Sequence, residues 1–211
     1  MYTVKKSHIH FVGIGGIGMS GIATILKYQG YHISGCDLDI DQKSVHDLLA
    51  LGCAIYQGNN TPHCHDDSID VLVYSSAIKA HDPEIIAAQQ KGIPTIARAT
   101  MLAELMRSKY SIAIAGSHGK TTTTSMISHI LIEAQRDPTV IIGGHLKNIS
   151  ANARLGAGDF LVAEADESDR SFLRLNPTLA VVTNIDLEHL DVYHDLRDVQ
   201  TAFSQFLSTL P

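Results

Sequence analysis

Short apolar runs ending in glycine alternate with amphipathic stretches along the whole chain. Ile9–Val12 reads as a buried strand, Gly13–Gly18 as a turn, and Met19–Tyr28 as a helix. Gly30 closes that helix, because glycine takes the left-handed backbone of a helix C-terminus without strain. Tyr31–Gly35 predicts a second strand, Val45–Ala50 a short helix, and Ala54–Tyr56 and Val71–Tyr74 two more strands. Pro83–Lys91 predicts a helix with proline in its first turn and Gly92 beyond its end, followed by the strand Ile93–Ile96. His8 and His10 flank a strand start and are expected at the surface.

Met101–Arg107 predicts a helix that delivers the chain to a second unit of the same grammar. That unit starts with the strand Ser111–Ala115, turns at Gly116–Gly119, and enters a helix running from Lys120 to Glu133. Val140–Ile142, Phe160–Ala163 and Leu179–Val182 are further core strands. The alternation predicts an α/β fold of mostly parallel sheets with helices on both faces, divided near Ser108 into domains 1–108 and 109–211. Asp198–Leu210 reads as an amphipathic helix that stops at Pro211 with no closing element, as expected of the N-terminal portion of a longer protein.

Composition narrows the partners. The 211 residues carry a formal charge of -6 and no basic run, which argues against nucleic acid as a ligand. Three cysteines without a C-x-x-C pair argue against a disulfide framework and favour a reducing cytoplasm. No segment approaches the apolar length of a membrane span.

Two glycine turns carry the candidate chemistry. Gly116-Ser117-His118-Gly119-Lys120-Thr121-Thr122 lies between a strand and a helix. Backbone N–H groups of such a loop approach phosphate oxygens, Lys120 reaches the terminal phosphates, and the Thr121 hydroxyl can ligate Mg2+. Ile114 stands where the full Walker pattern has glycine, so this is a shorter G-x-x-G-K-T form of the ATP loop. Two core strands of the same unit end in carboxylates, at Glu164-Ala-Asp166-Glu167-Ser168-Asp169 and at Asn184-Ile-Asp186-Leu-Glu188-His189. Ligands bind beyond the carboxyl ends of strands in open α/β sheets, which selects Glu164 and His189 as candidate metal and catalytic residues with Lys120.

The first turn, Gly13-Ile14-Gly15-Gly16-Ile17-Gly18, has the G-x-G-x-x-G spacing that seats a diphosphate on a helix N-terminus, in a Rossmann-like domain. Asp37 ends the second strand, where a ribose-binding acid belongs, and Ser75-Ser76-Ala77 ends another strand of that unit. This motif alone leaves an NAD-dependent oxidoreductase open, although such an enzyme would not need the second loop. A non-catalytic UDP-sugar-binding module is a further alternative. His63-Cys64-His65 is a loop segment whose adjacent residues seldom all face one ion, which makes a metal cluster the lesser reading, and Cys36 is expected to be structural.

The ordered motifs GIGGIGM, SGCD, SSAI, GSHGKTTTT, EADESD and TNIDLEHLD resemble the Mur ligases of peptidoglycan synthesis over nearly the whole chain. The resemblance implies a UDP-substrate domain, with Gly15, Gly16, Ile17 and Gly18 near the diphosphate and Asp37 and Ser76 near the uridine. It implies a partial central P-loop ATPase-type domain in which Gly116, Ser117, His118, Gly119, Lys120, Thr121, Thr122 and Asn184 meet ATP, and Thr121, Glu164 and His189 meet Mg2+. The implied reaction is ATP-dependent amide ligation of L-alanine to the lactyl carboxylate of UDP-N-acetylmuramate through an acyl phosphate. The tripeptide-recycling branch of the family is the neighbouring alternative. Ser117 stands where the family has threonine, and the family's C-terminal domain has no counterpart here, which implies a fragment unable to complete catalysis alone. The oligomeric state is not legible.

Overall fold

The computed structural model describes residues 7–58, 66–79, 81–143 and 152–211. It divides into two compact units, Met1–Arg98 and Ala99–Pro211.

The first unit runs β1 (His8–Val12), α1 (Ile17–Tyr28), β2 (His32–Asp37), α2 (Lys43–Ala50), β3 (Ala54–Gln57), β4 (Val71–Tyr74), α3 (Pro83–Gln90) and β5 (Thr95–Ala97). Its five strands form one parallel sheet in the order β3-β2-β1-β4-β5. The order reverses at β1, and a crevice opens at such a reversal beyond the strand ends. β1 is buried at every position, as a central strand covered on both faces must be. Gly35 in β2 is required by packing: a Cβ there would lie 2.7 Å from both Phe11 O and Ile14 Cδ1. β5 starts at Thr95, later than the expected Ile93, since Pro94 has no N–H to give a ladder and only its carbonyl is used, accepting from Leu72 N at 2.9 Å.

The surface placement expected for His8 and His10 is corrected: both are buried. Ser34 Oγ meets His8 Nε2 at 2.6 Å and His10 Nδ1 at 2.7 Å, and Ser68 Oγ meets His8 Nδ1 at 2.9 Å, so the rings find partners inside the sheet face.

The second unit contains α4 (Arg98–Arg107), β6 (Tyr110–Ala115), α5 (Lys120–Glu133), β7 (Thr139–Ile141), β8 (Ala153–Arg154), β9 (Phe160–Glu164), a 3-10 turn at Ser171–Arg174, β10 (Leu179–Val182) and α6 (Leu196–Leu207). Here the order is β10-β6-β9-β7-β8, parallel except for β8 against β7. The division of the chain falls at the start of α4, ten residues before Ser108. α6 is capped by Asp195, which accepts from Asp198 N at 2.8 Å. Its buried Phe203 and Phe206 pack on Phe172 of the 3-10 turn, with ring centroids 5.2 and 5.0 Å apart. Among the described residues, no helix is long and apolar enough to cross a membrane.

Candidate functional site

In the second unit, β6 delivers a loop whose shape is set by the segment after β10. Gly116 has φ 131°, and Gly119, the residue before α5, has φ 80°, both in the region that favours glycine. A Cβ on Gly116 would meet Thr183 Oγ1 at 2.1 Å. His118 N donates to Asn184 Oδ1 at 2.9 Å, Asn184 Nδ2 donates to His118 O at 3.0 Å, and Thr183 Oγ1 donates to the same carbonyl at 2.6 Å. Ser117 N donates to Asn184 O at 3.2 Å, and Asp186 N donates to Ser117 Oγ at 2.8 Å. Asn184 therefore shapes the loop from outside it.

Lys120 opens α5. Its Nζ donates to Gly116 O at 2.6 Å and to Glu167 Oε1 at 2.6 Å. Glu167, only 2% exposed, also lies 3.7 Å from His189 Nε2, and its carbonyl accepts from Tyr193 Oη at 2.7 Å. His189 holds a left-handed backbone, φ 55°, unusual for a side chain of that size. Burial pushes the Tyr193 phenol up to about 12.

Glu164 ends β9. Burial raises its carboxyl above the ordinary range, against the lowering pull of the Thr121 hydroxyl, the Gly143 N–H and Lys120. Two buried carboxylate oxygens, Glu164 Oε1 and Glu167 Oε2, have no hydrogen-bond partner, an arrangement that a cation satisfies. His189 is grouped with Glu167 and Glu188, whose ligand atoms lie within 4.8 Å of one another, rather than with Glu164. Glu188 also faces His118, whose Nε2 is 3.6 Å from its Oε1. Thr122 is exposed in the first turn of α5. Glu167 and Glu188 were not singled out from the sequence, where each is one acid in an acidic run.

In the first unit a cavity of about 290 Å3 lies beyond the strand ends, bordered by Gly13, Gly16, Cys36, Asp37, Ser75 and Ile78 among others. Asp37 Oδ2 accepts from Gly15 N at 2.7 Å, which ties the glycine turn to the end of β2. Gly15 is itself buried, and a Cβ there would lie 2.9 Å from Asp37 Oδ2. Ile17 is exposed in the first turn of α1, and Gly18 packs against Arg98, whose Nη1 would stand 2.9 Å from an added Cβ. Ser76 is exposed between the cavity-lining Ser75 and Ala77. No sequence signal pointed to Arg98, a lone cation after a strand. His63, Cys64 and His65 lie outside the described residues.

Comparison with known proteins decides the family. Residues 8–110 match the model described as Mur ligase family, catalytic domain, and residues 114–211 match the Mur ligase middle domain. The chain is similar, at 33% identity and a TM-score of 0.90, to a solved UDP-N-acetylmuramate:L-alanyl-gamma-D-glutamyl-meso-diaminopimelate ligase from Neisseria meningitides, covering 98% of this chain and 69% of that one. The chain belongs to the Mur ligase family. A second solved Mur ligase, UDP-N-acetylmuramate-alanine ligase MurC from Thermotoga maritima, matches at 30% identity and a TM-score of 0.86, over 96% of this chain and 47% of that chain. Among curated relatives, UDP-N-acetylmuramate--L-alanine ligase of Persephonella marina is 54% identical over 211 residues, and that of Syntrophobacter fumaroxidans 57% over 208. The chain spans about half the length of the curated Mur ligases it matches, 45% and 44% for these two.

Proposed function

We propose that this chain is the UDP-substrate-binding and ATP-binding portion of a UDP-N-acetylmuramate–L-alanine ligase. The observation that carries the reading is the loop at Gly116–Lys120, folded at the end of β6 with Lys120 and paired carboxylates around it. Identity of 53–57% to curated relatives of that name favours L-alanine as the amino acid.

Gly15, Gly16, Ile17 and Gly18 present the start of α1 to the diphosphate of the UDP substrate, with Asp37 and Ser76 toward the uridine. The Asp37 carboxylate accepts from Gly15 N and from Asp39 N, which holds it beside the glycine turn. In the second unit, the loop Gly116–Gly119 and the N-terminus of α5 hold the ATP phosphates. Lys120 exchanges Glu167 for phosphate oxygen when the nucleotide arrives. Thr121 and Glu164 would hold Mg2+ beside the triphosphate, and His189 would hold Mg2+ from the neighbouring group it forms with Glu167 and Glu188. Bound there, Mg2+ supplies charge neutralisation that lets a carboxylate approach the triphosphate. The lactyl carboxylate attacks the γ-phosphate and ADP leaves, giving an acyl phosphate, and the amine of L-alanine then displaces inorganic phosphate to form the amide. Thr183 and Asn184 keep the loop open to the nucleotide by taking up His118 O.

Calorimetric titration of this chain with UDP-N-acetylmuramate, NADH and Mg·ATP tests the reading. Heat from the muramate nucleotide and from Mg·ATP, with none from NADH, is the expected result. Binding of NADH without the muramate nucleotide would overturn it.

A further inference from the structure

The buried histidines of the first unit lead to a second polar cluster, apart from the ATP loop. His10 on β1, Cys36 on β2 and Glu84 in the first turn of α3 meet on one face of the sheet, at 0%, 1% and 0% exposure. Cys36 Sγ lies 2.9 Å from Glu84 Oε2 and 3.2 Å from Oε1, and His10 Nε2 lies 3.8 Å from Oε2. One ligand atom from each residue falls within 4.8 Å of the other two. Val12, Leu72, Ile85 and Ala88 form the apolar packing of this face.

We propose that His10, Cys36 and Glu84 form a binding site for a thiophilic divalent cation of the zinc class. The donor set is one nitrogen, one sulfur and one oxygen, each a zinc ligand in its own right. A tetrahedral ion with ligand distances of about 2.0–2.3 Å spaces its donors roughly 3.3–3.8 Å apart. At such an ion an N–O pair stands about 3.3–3.4 Å apart and an S–O pair about 3.5 Å, so His10 Nε2 and Glu84 Oε2 would close from 3.8 Å while Cys36 Sγ and the same oxygen would open from 2.9 Å, about half an ångström each. Orientation is fixed from behind. Ser34 Oγ engages His10 Nδ1, which directs Nε2 toward Glu84, and His8 and Ser68 extend the chain outward. Such an outer partner on the second ring nitrogen is the usual support of a metal-bound histidine.

Charge favours the same occupant. A doubly positive ion with one thiolate, one carboxylate and a neutral imidazole is neutral as a unit, so its burial carries no uncompensated charge. Binding replaces the thiol proton by the metal, and that proton leaves to solvent. Three protein ligands leave a fourth position for water, and Cys36 borders the 290 Å3 cavity from which water and ion can arrive. The consequence reaches the glycine turn, because Gly13 N and Ile14 N both donate to Cys36 O, at 2.9 and 3.0 Å. A metal on the sulfur of that residue stiffens the anchor of the turn.

The test is growth of cells expressing this chain in cobalt-supplemented medium, followed by metal analysis and absorption spectroscopy of the purified protein. One cobalt per chain, with a thiolate-to-cobalt charge-transfer band and the intense visible bands of tetrahedral Co2+, is expected. Adding Zn2+ should bleach both. Cys36→Ser keeps a hydroxyl donor for Glu84 and hence the fold, checked by circular dichroism, and should lose the charge-transfer band. The Cys53→Ser/Cys64→Ser variant should keep it. A wild-type chain without a thiolate band, a band that survives Cys36→Ser, or one that depends on Cys53 or Cys64 would each overturn the proposal and leave the cluster a network of hydrogen bonds.

Discussion

The ammonium of Lys120 donates to Glu167 Oε1 at 2.6 Å, joining the first residue of α5 to the acidic segment that follows β9. The carboxylate is 3% exposed and the lysine side chain 20%, so the pair is largely out of water. Removing one member leaves a charge without its partner. Lys120→Met is expected to destabilise the chain by about 3 kcal/mol, the order found when a buried pair is broken. Adding Glu167→Gln to Lys120→Met should recover most of that loss, and under the proposed function neither variant binds Mg·ATP. Urea denaturation of both variants, with nucleotide titrations alongside, checks this.

Gly116 tolerates no side chain. Its φ of 131° and the 2.1 Å approach of Thr183 Oγ1 to an added Cβ act together. Gly116→Ala should cost about 2–3 kcal/mol in backbone strain and displaced contacts. Paired with Thr183→Ala it should recover only the share due to Thr183, since Asn184 O would still stand 2.9 Å from the added Cβ. Thermal unfolding of the single and double variants separates the two.

Tyr193 is expected to ionise late. Burial is the leading cause of the rise from 10.0 to about 12, and Arg170, 4.6 Å above the ring, opposes it. A phenol whose pKa is higher in the folded state stabilises fully below its unfolded pKa of 10.0 and loses that contribution as pH rises through about 12. Spectrophotometric titration should show one tyrosinate forming only near that upper value, and stability falling above pH 10.0. Tyr193→Phe should abolish the late-titrating component.

Phe172 holds the 3-10 turn against α6 and is fully buried, stacked on Phe206 and edge-on to Phe203. Phe172→Ala should cost about 3–5 kcal/mol, the range for emptying an aromatic site in a packed core. Because Tyr193 and Arg170 border the same region, the variant should also shift the tyrosine titration downward. Chemical denaturation and the spectrophotometric titration measure the two effects.

Strand–glycine–helix units were legible because their signals are local: an apolar run, a left-handed glycine, an amphipathic stretch. β8 was not, since two residues paired antiparallel to β7 leave no periodicity to detect. His8 and His10 were expected at the surface because they flank a strand start, but a parallel sheet is covered on both faces and serines there satisfy the rings. Lys120 was selected by the glycine loop it follows, and Glu164 and His189 by the strands whose carboxyl ends they follow. Glu167 was not, because the order of carboxylates in a run says nothing about which one turns inward. Asn184 was assigned to the nucleotide through its motif, and its side chain was found bonded to His118 on both sides of the amide. Arg98 could not be read at all, since its neighbour Gly18 lies 80 residues earlier and is met only in three dimensions.

The pairing of Ser117 and His118 with Thr183, Asn184 and Asp186 has a consequence for engineering and for descent. The loop Gly116–Gly119 is not a cassette that can be lifted out between β6 and α5, because a template some 65 residues downstream moulds it. Transplanting Gly116–Thr122 alone into a different α/β protein should yield a misshapen turn, while carrying Thr183–Asp186 along should restore it. Inheritance is expected to treat the two stretches as one unit, a change in either being tolerated only beside a matching change in the other.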